Sequence, residues 1–316
     1  GGIGGGGVVL MFTLRYIGHL FVGIVWFCQP GCFCPGAPPR TIEGPSMIKN
    51  SHPPIFAVLN HKGGVGKTST GAHLAAEAAD QDRRVLIIDM DKQASMSTLL
   101  GVATDTPDSP GFNINDVLTS TKKQSRAKGL AAEAIIHSPW EGIDLLPSSL
   151  DLSGWEAVGD AGTHLLLSRS LDSKELMSSY DIIFIDCPPS LGMLTAMALD
   201  AADKALLVTE PEAPSLKGIR QTVATVGELG DSFNVSIAGI VINKLRTGTK
   251  EHAERVEELR ADAELSPLLI DPIIPTRTLI TQAAGKSQPL TRMSAKGVTE
   301  LRETYQAILT HILRGE

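Results

Sequence analysis

The segment that most constrains this 316-residue chain is Ile55–Leu59 (IFAVL), a short apolar run that passes into residues 60–69 (NHKGGVGKTS) and then into the alanine-rich stretch 70–80. Strand, glycine loop and helix in that order is the context in which a glycine-rich loop cradles phosphate rather than simply turning the chain. Gly63, Gly64 and Gly66 let the backbone fold tightly, so that its N–H groups and the helix N-terminus converge on phosphate oxygens. Lys67 then neutralises the β- and γ-phosphates, and the Thr68 hydroxyl can ligate Mg2+. The candidate nucleotide-binding residues are therefore Gly63, Gly64, Val65, Gly66, Lys67, Thr68 and Ser69.

Two further apolar runs end in carboxylates. Val85-Leu-Ile-Ile-Asp89 is followed by Met90-Asp91-Lys92, and residues 180–190 read YDIIFIDCPPS, a buried-strand pattern closing on Asp186 with a proline pair that stops it. Parallel strands that end in acidic residues place them at the ligand edge of an open α/β sheet. The fold class expected is α/β: a mostly parallel twisted sheet flanked by helices on both faces, with the site at the C-terminal edge of the strands.

Strictly, the loop departs from G-x-x-x-x-G-K-[ST], because His61 occupies the first glycine position and a second lysine, Lys62, heads the loop. K-G-G-x-G-K-[ST] resembles the deviant Walker A loop of the ParA/MinD family of P-loop ATPases. The resemblance implies ATP and Mg2+ as cofactors. It also implies an ATP-dependent homodimer in which Lys62 reaches the phosphates of the partner subunit, and a catalytic set of Lys62, Lys67 and Asp91. The stretch from Asp89 to Gln93 resembles the family motif D-x-D-P-Q, with Lys92 in place of proline; by it Asp91 orients the attacking water and Asp89 supports the Mg2+ shell. Asp186 matches the Walker B acid, so the metal set implied is Thr68, Asp89 and Asp186. Residues 186–219 resemble the ParA/Soj branch, and 273–290 its late Ile-Pro segment. Asn243, at the end of an apolar run over 237–242, matches the asparagine that binds adenine. The likeness covers residues 54–314.

The first 46 residues read as a different text. They hold 11 of the 31 glycines, three of the four cysteines, only Arg15 and Arg40 as basic residues and only Glu43 as an acidic one. The remainder carries 26 basic and 34 acidic side chains, a net −8. Residues 8–27 are apolar enough to span a bilayer as a helix, with Arg15 as the costly exception. Cys28, Cys32 and Cys34 match no zinc spacing. The expectation is a non-native or disordered extension over 1–46, with a membrane segment at 8–27 as the alternative, and the ATPase domain over 47–316. Cys187, the single cysteine outside that extension, reads as a small buried hydrophobe.

Branch membership rests on what surrounds the loop. Leu301, Tyr305, Ile308, Leu309, Ile312 and Leu313 recur at helical spacing, and Glu300 and Glu303 offset Arg302 and Arg314. That pattern predicts a core-facing helix, where a MinD-like protein would carry a basic membrane-surface helix. The resemblance to the Soj-like branch implies a weak, partner-stimulated Mg-dependent ATPase in the cytoplasm, associated with the nucleoid. It would bind DNA non-specifically and partition plasmids or chromosomes with a ParB-like centromere-binding protein. Candidate DNA contacts are Lys244, Arg246, Lys250, Arg277, Lys286, Arg292 and Lys296; an acidic protein can bind phosphates through a local basic patch. The sequence departs from the branch at Thr276, Leu279 and Gly248, near positions where Soj-like proteins carry arginine. The alternative is a MinD-like or related positioning ATPase that acts at a membrane or cell pole and not on DNA. Residues 101–170 suggest no chemistry.

Overall fold

The computed structural model describes residues 10–16, 19–25, 52–124 and 128–315. The chain divides into two units, Gly1–Ile48 and Lys49–Glu316. In the first, β1 (Leu10–Tyr16) and β2 (His19–Val25) form a two-stranded antiparallel ladder, with Arg15 opposite Leu20. Where the apolar stretch 8–27 suggested a spanning helix, its described residues are thus strands, in keeping with their Val, Ile, Phe, Tyr and Thr content. Among the described residues no helix is long and apolar enough to cross a membrane. Cys28, Cys32 and Cys34 lie outside the described residues.

The second unit alternates strands and helices. In chain order these are β3 (Ile55–Leu59), α1 (Lys67–Ala79), β4 (Val85–Asp89), α2 (Ser95–Leu99), α3 (Ile114–Lys123), β5 (Ile136–His137) and β6 (Ile143–Leu146). There follow α4 (Leu166–Leu171), α5 (Lys174–Ser178), β7 (Ile182–Asp186), α6 (Met193–Ala201), β8 (Lys204–Thr209), α7 (Ala213–Phe233) and β9 (Ser236–Ile242). Then come α8 (Lys250–Ala261), β10 (Leu269–Ile270), α9 (Thr278–Gly285) and α10 (Val298–Arg314). The strands make one sheet in the order β10-β9-β8-β3-β7-β4-β6-β5, parallel throughout except for the antiparallel β5–β6 edge.

Every residue of β3, β4 and β7 is buried, as expected of parallel strands covered on both faces. Alternation sorts them into two cores. Ile55, Ala57 and Leu59 join one cluster with Val117, Leu167, Leu194 and Ile219, contributed by α3, α4, α6 and α7. Phe56 and Val58 join the other with Leu74, Met96, Leu301 and Tyr305, contributed by α1, α2 and α10. The sheet is therefore sandwiched between two helical layers. The apolar stripe of α10 is spent on that second core, since Leu301, Tyr305, Ile308, Leu309 and Ile312 are all buried.

Candidate functional site

Five adjacent strands deliver their C-terminal ends to one edge: β9, β8, β3, β7 and β4. The glycine loop leaves β3 there, and register fixes its neighbours. Asp186 is the cross-strand partner of Val58 on one side and of Asp89 on the other, so Asp186 lies beside the strand that launches the loop and Asp89 one strand further out.

Local chemistry anchors the loop at its start. Buried Asn60 donates to the Val208 carbonyl at 2.6 Å and accepts from the Lys62 N–H at 3.0 Å. Gly64 and Gly66 hold the left-handed conformation, φ +78° and +92°. Gly66 is doubly constrained, since a Cβ there would stand 2.2 Å from Nδ2 of Asn243. The chain then enters α1 at Lys67, leaving the first N–H groups of the helix directed at the loop's hollow.

Lys67 is 7% exposed. Burial pushes its ammonium below the ordinary lysine value, with Asp186 pulling back. The Thr68 hydroxyl donates to Asp186 Oδ2 at 2.7 Å. Burial, then the neighbouring Asp89, raises Asp186 well above the usual carboxylate range, against the pull of Thr68 and Lys67. Its other oxygen, Oδ1, is buried with no hydrogen-bond partner. A carboxylate oxygen left open next to a threonine hydroxyl and a phosphate-binding loop suits a hard divalent cation, so Thr68 and Asp186 fit Mg2+.

Asp89, opposite Asp186, is tied into the turn that follows its strand. Its Oδ2 accepts from the Ser97 N–H and hydroxyl at 2.8 and 2.7 Å, and its Oδ1 from the Asp91 N–H at 3.2 Å. Burial raises its pKa to about 6 in spite of these donors. Its oxygens brace the turn that carries Asp91, and Asp91 Oδ1 in turn accepts from the Gln93 N–H at 2.9 Å. Ser69 is half-buried in the first turn of α1, on the side that faces Tyr305 of α10. Asn243 is 4% exposed, and both ends of its amide are engaged within the chain: Nδ2 donates to the Val65 carbonyl at 3.0 Å and Oδ1 accepts from the Lys244 N–H at 2.8 Å. It braces the loop from the end of β9.

Lys62 folds back onto two carboxylates just beyond β8, Glu210 and Glu212, the latter at 2.8 Å. Partial burial lowers its pKa, but the two ion pairs outweigh that and leave it raised. Glu210, Glu212, Asn60 and Ser97 were missed by sequence reasoning. Glu210 and Glu212 stand within residues 186–219, where a pair of carboxylates bracketing Pro211 was the available signal. Cys187 is buried, and burial pushes its thiol up, which leaves it inert.

The basic candidates separate. The ammonium of Lys244 hydrogen-bonds to the Gly64 carbonyl and so belongs to the loop. Lys250 is exposed and paired with Glu254 at 3.5 Å, and Arg292 is paired with Glu141. Arg246, Arg277, Lys286 and Lys296 are exposed. An isolated bridge between Leu245 and Pro275 sets the segments carrying Arg246 and Arg277 side by side.

A strand, a left-handed glycine loop, a helix N-terminus and a threonine hydroxyl bonded to a buried aspartate at the C-terminal edge of a parallel sheet define a P-loop NTPase site. Known proteins agree with that class. A family model described as an AAA domain matches residues 54–238. The protein Rv1708 of Mycobacterium tuberculosis is 32% identical over 287 residues, 88% of this chain and 84% of its own length. The chromosome-partitioning ATPase Soj of Treponema pallidum is 31% identical over 242 residues, 75% of this chain and 89% of Soj. Cobyrinic acid a,c-diamide synthase of Mycobacterium smegmatis, solved with a bound ATP analogue and magnesium, superposes with a TM-score of 0.67 at 29% identity, covering 84% of this chain and 97% of that one. The chain belongs to the ParA/MinD family of P-loop ATPases.

Proposed function

We propose that the chain is a ParA-like partition ATPase: it binds ATP and Mg2+, closes as a homodimer around two nucleotides, holds DNA without sequence preference, and is released when a ParB-like partner stimulates slow hydrolysis. The observation that carries this reading is the convergence of Lys62, Lys67, Asp91 and the Thr68–Asp186 pair on one sheet edge, with Lys62 at the mouth of the loop. Mg2+ at Thr68 and Asp186 supplies charge neutralisation on the phosphates. The chain supplies the rest, which for phosphoryl transfer is mainly positioning and electrostatics. Loop N–H groups and Lys67 hold the phosphates, Asp91 orients the water, and Lys62 exchanges Glu210 and Glu212 for the partner subunit's nucleotide. Asp91→Ala is expected to keep ATP binding and dimerisation but to lose most hydrolysis, read as phosphate release; hydrolysis at the normal rate contradicts the assignment.

The DNA surface is assigned to the neighbourhood of Arg246 and Arg277, with Lys286 and Lys250 flanking it, and the setting to the cytoplasm and nucleoid. What supports this over a membrane-positioning role is that the apolar face of α10 is used up in the core. Residues 1–46 are assigned no part in the ATPase. Co-sedimentation of the full chain with duplex DNA and with anionic liposomes, each with and without ATP, tests the choice. ATP-dependent retention on DNA that fades with salt is the expected result; retention on liposomes without DNA binding contradicts it.

A further inference from the structure

Lys244 was grouped with the DNA contacts on sequence alone, and its geometry argues for another task. It has φ +57°, a left-handed conformation rare for a residue with a side chain, held by the hydrogen bond from its own N–H to Oδ1 of Asn243. That twist carries its side chain back over the loop. There its ammonium hydrogen-bonds to the Gly64 carbonyl and lies 3.8 Å from Glu210 Oε2. Asn243 meanwhile donates to the next carbonyl, that of Val65. Two consecutive residues thus hold two consecutive loop carbonyls.

We infer that Lys244 is a positioning residue of the nucleotide site, acting through the loop backbone, an assignment that rests on the ATPase reading above. A loop binds phosphate through its N–H groups, and a peptide unit that turns its N–H inward turns its carbonyl outward, where it needs a donor. Lys244 and Asn243 are those donors, and they fix the peptide planes before nucleotide arrives. Lys244 has a second effect. The Glu210 side chain is only 10% exposed and is shared by Lys62 and Lys244. When Lys62 turns toward a partner subunit, Lys244 still compensates that carboxylate, so Glu210 is not left as an unpaired, largely buried charge.

The test is equilibrium binding of methylanthraniloyl-ADP with Mg2+ to the full chain, without DNA, so that neither dimerisation nor DNA contact enters the readout. Lys244→Met is expected to bind about tenfold more weakly, the scale of one charge-assisted hydrogen bond. Lys244→Arg, which keeps a charged donor, is expected to restore most of the affinity. Lys174→Met, an exposed lysine at the start of α5, is the control expected to bind as wild type does. Wild-type affinity in Lys244→Met, or equal weakening in the Met and Arg variants, overturns the role of Lys244. A wild-type chain that fails to bind the nucleotide contradicts the ATPase reading itself.

Discussion

His73 stands in α1 beyond the loop, stacked on Trp140 at 5.9 Å and against Tyr305 at 5.2 Å between ring centroids. Its Nδ1 is buried without a hydrogen-bond partner, and burial lowers its pKa from 6.5 to about 4. The folded state therefore prefers the neutral ring. That preference contributes its full stability above pH 6.5 and is lost as pH falls toward 4, up to about 3 kcal/mol. Asp89, whose pKa is raised, biases stability in the opposite direction over the same range, so the histidine contribution is best read as a difference. Urea denaturation of wild type and His73→Phe between pH 7 and pH 4 is expected to show wild type losing ground to the variant as pH falls. A pH-independent difference contradicts a buried neutral imidazole. Residue by residue, the loop and the acid at 186 were legible because chemistry demands those side chains at those spacings. Asn60, Glu210 and the Ser97 partner of Asp89 were not, because each acts through a contact made only after distant strands align. The same holds for the inward turns of Asn243 and Lys244.

Among the elements, α10 shows how a stripe of apolar residues can be read correctly while its charges are not. The spacing of Leu301, Tyr305 and Ile308 predicted a core-facing helix, and all three are buried. Arg302, however, answers α1 rather than the neighbouring Glu300 and Glu303. Its Nε donates to Glu77 Oε1 at 2.8 Å and its Nη2 to Oε2 at 3.0 Å, and Gln306 adds a bond to Oε2 at 2.7 Å. Glu77 is 1% exposed, so removing Arg302 strands a carboxylate inside the α1–α10 interface. Arg302→Ala is expected to cost about 3 kcal/mol of stability and to lower the thermal midpoint by several degrees, as breaking a buried pair does. A midpoint equal to wild type contradicts that packing. Strands β3, β4 and β7 were legible because strands covered on both faces are continuous apolar runs. Most of residues 101–170 outside β6 were not, since tertiary contacts set their short elements. Trp155 Nε1 donates to Asn115, Asp105 accepts from the Leu150 N–H, and Glu156 accepts from Ser190 in the loop after β7. The apolar stretch 8–27 suited a helix by hydropathy alone, yet its described residues pair as strands.

For the molecule as a whole, the acidic balance and the proposed DNA surface are compatible only if basic charge is local. The Leu245–Pro275 bridge provides that locality by bringing segments around Arg246 and Arg277 together. Arg277→Ala is expected to weaken DNA retention at all sequences alike and to flatten its salt dependence, with nucleotide binding unchanged; a loss confined to particular sequences contradicts a phosphate contact. The central claim is that ATP joins two copies through Lys62. Sedimentation velocity with Mg2+ tests it most directly, on Asp91→Ala to suppress turnover and on the same chain carrying Lys62→Ala. The expected result is a 33.5 kDa monomer without nucleotide, a species of twice that mass with ATP, and a monomer under both conditions once Lys62 is replaced. A dimer that forms equally well without ATP, or that survives the loss of Lys62, would contradict it.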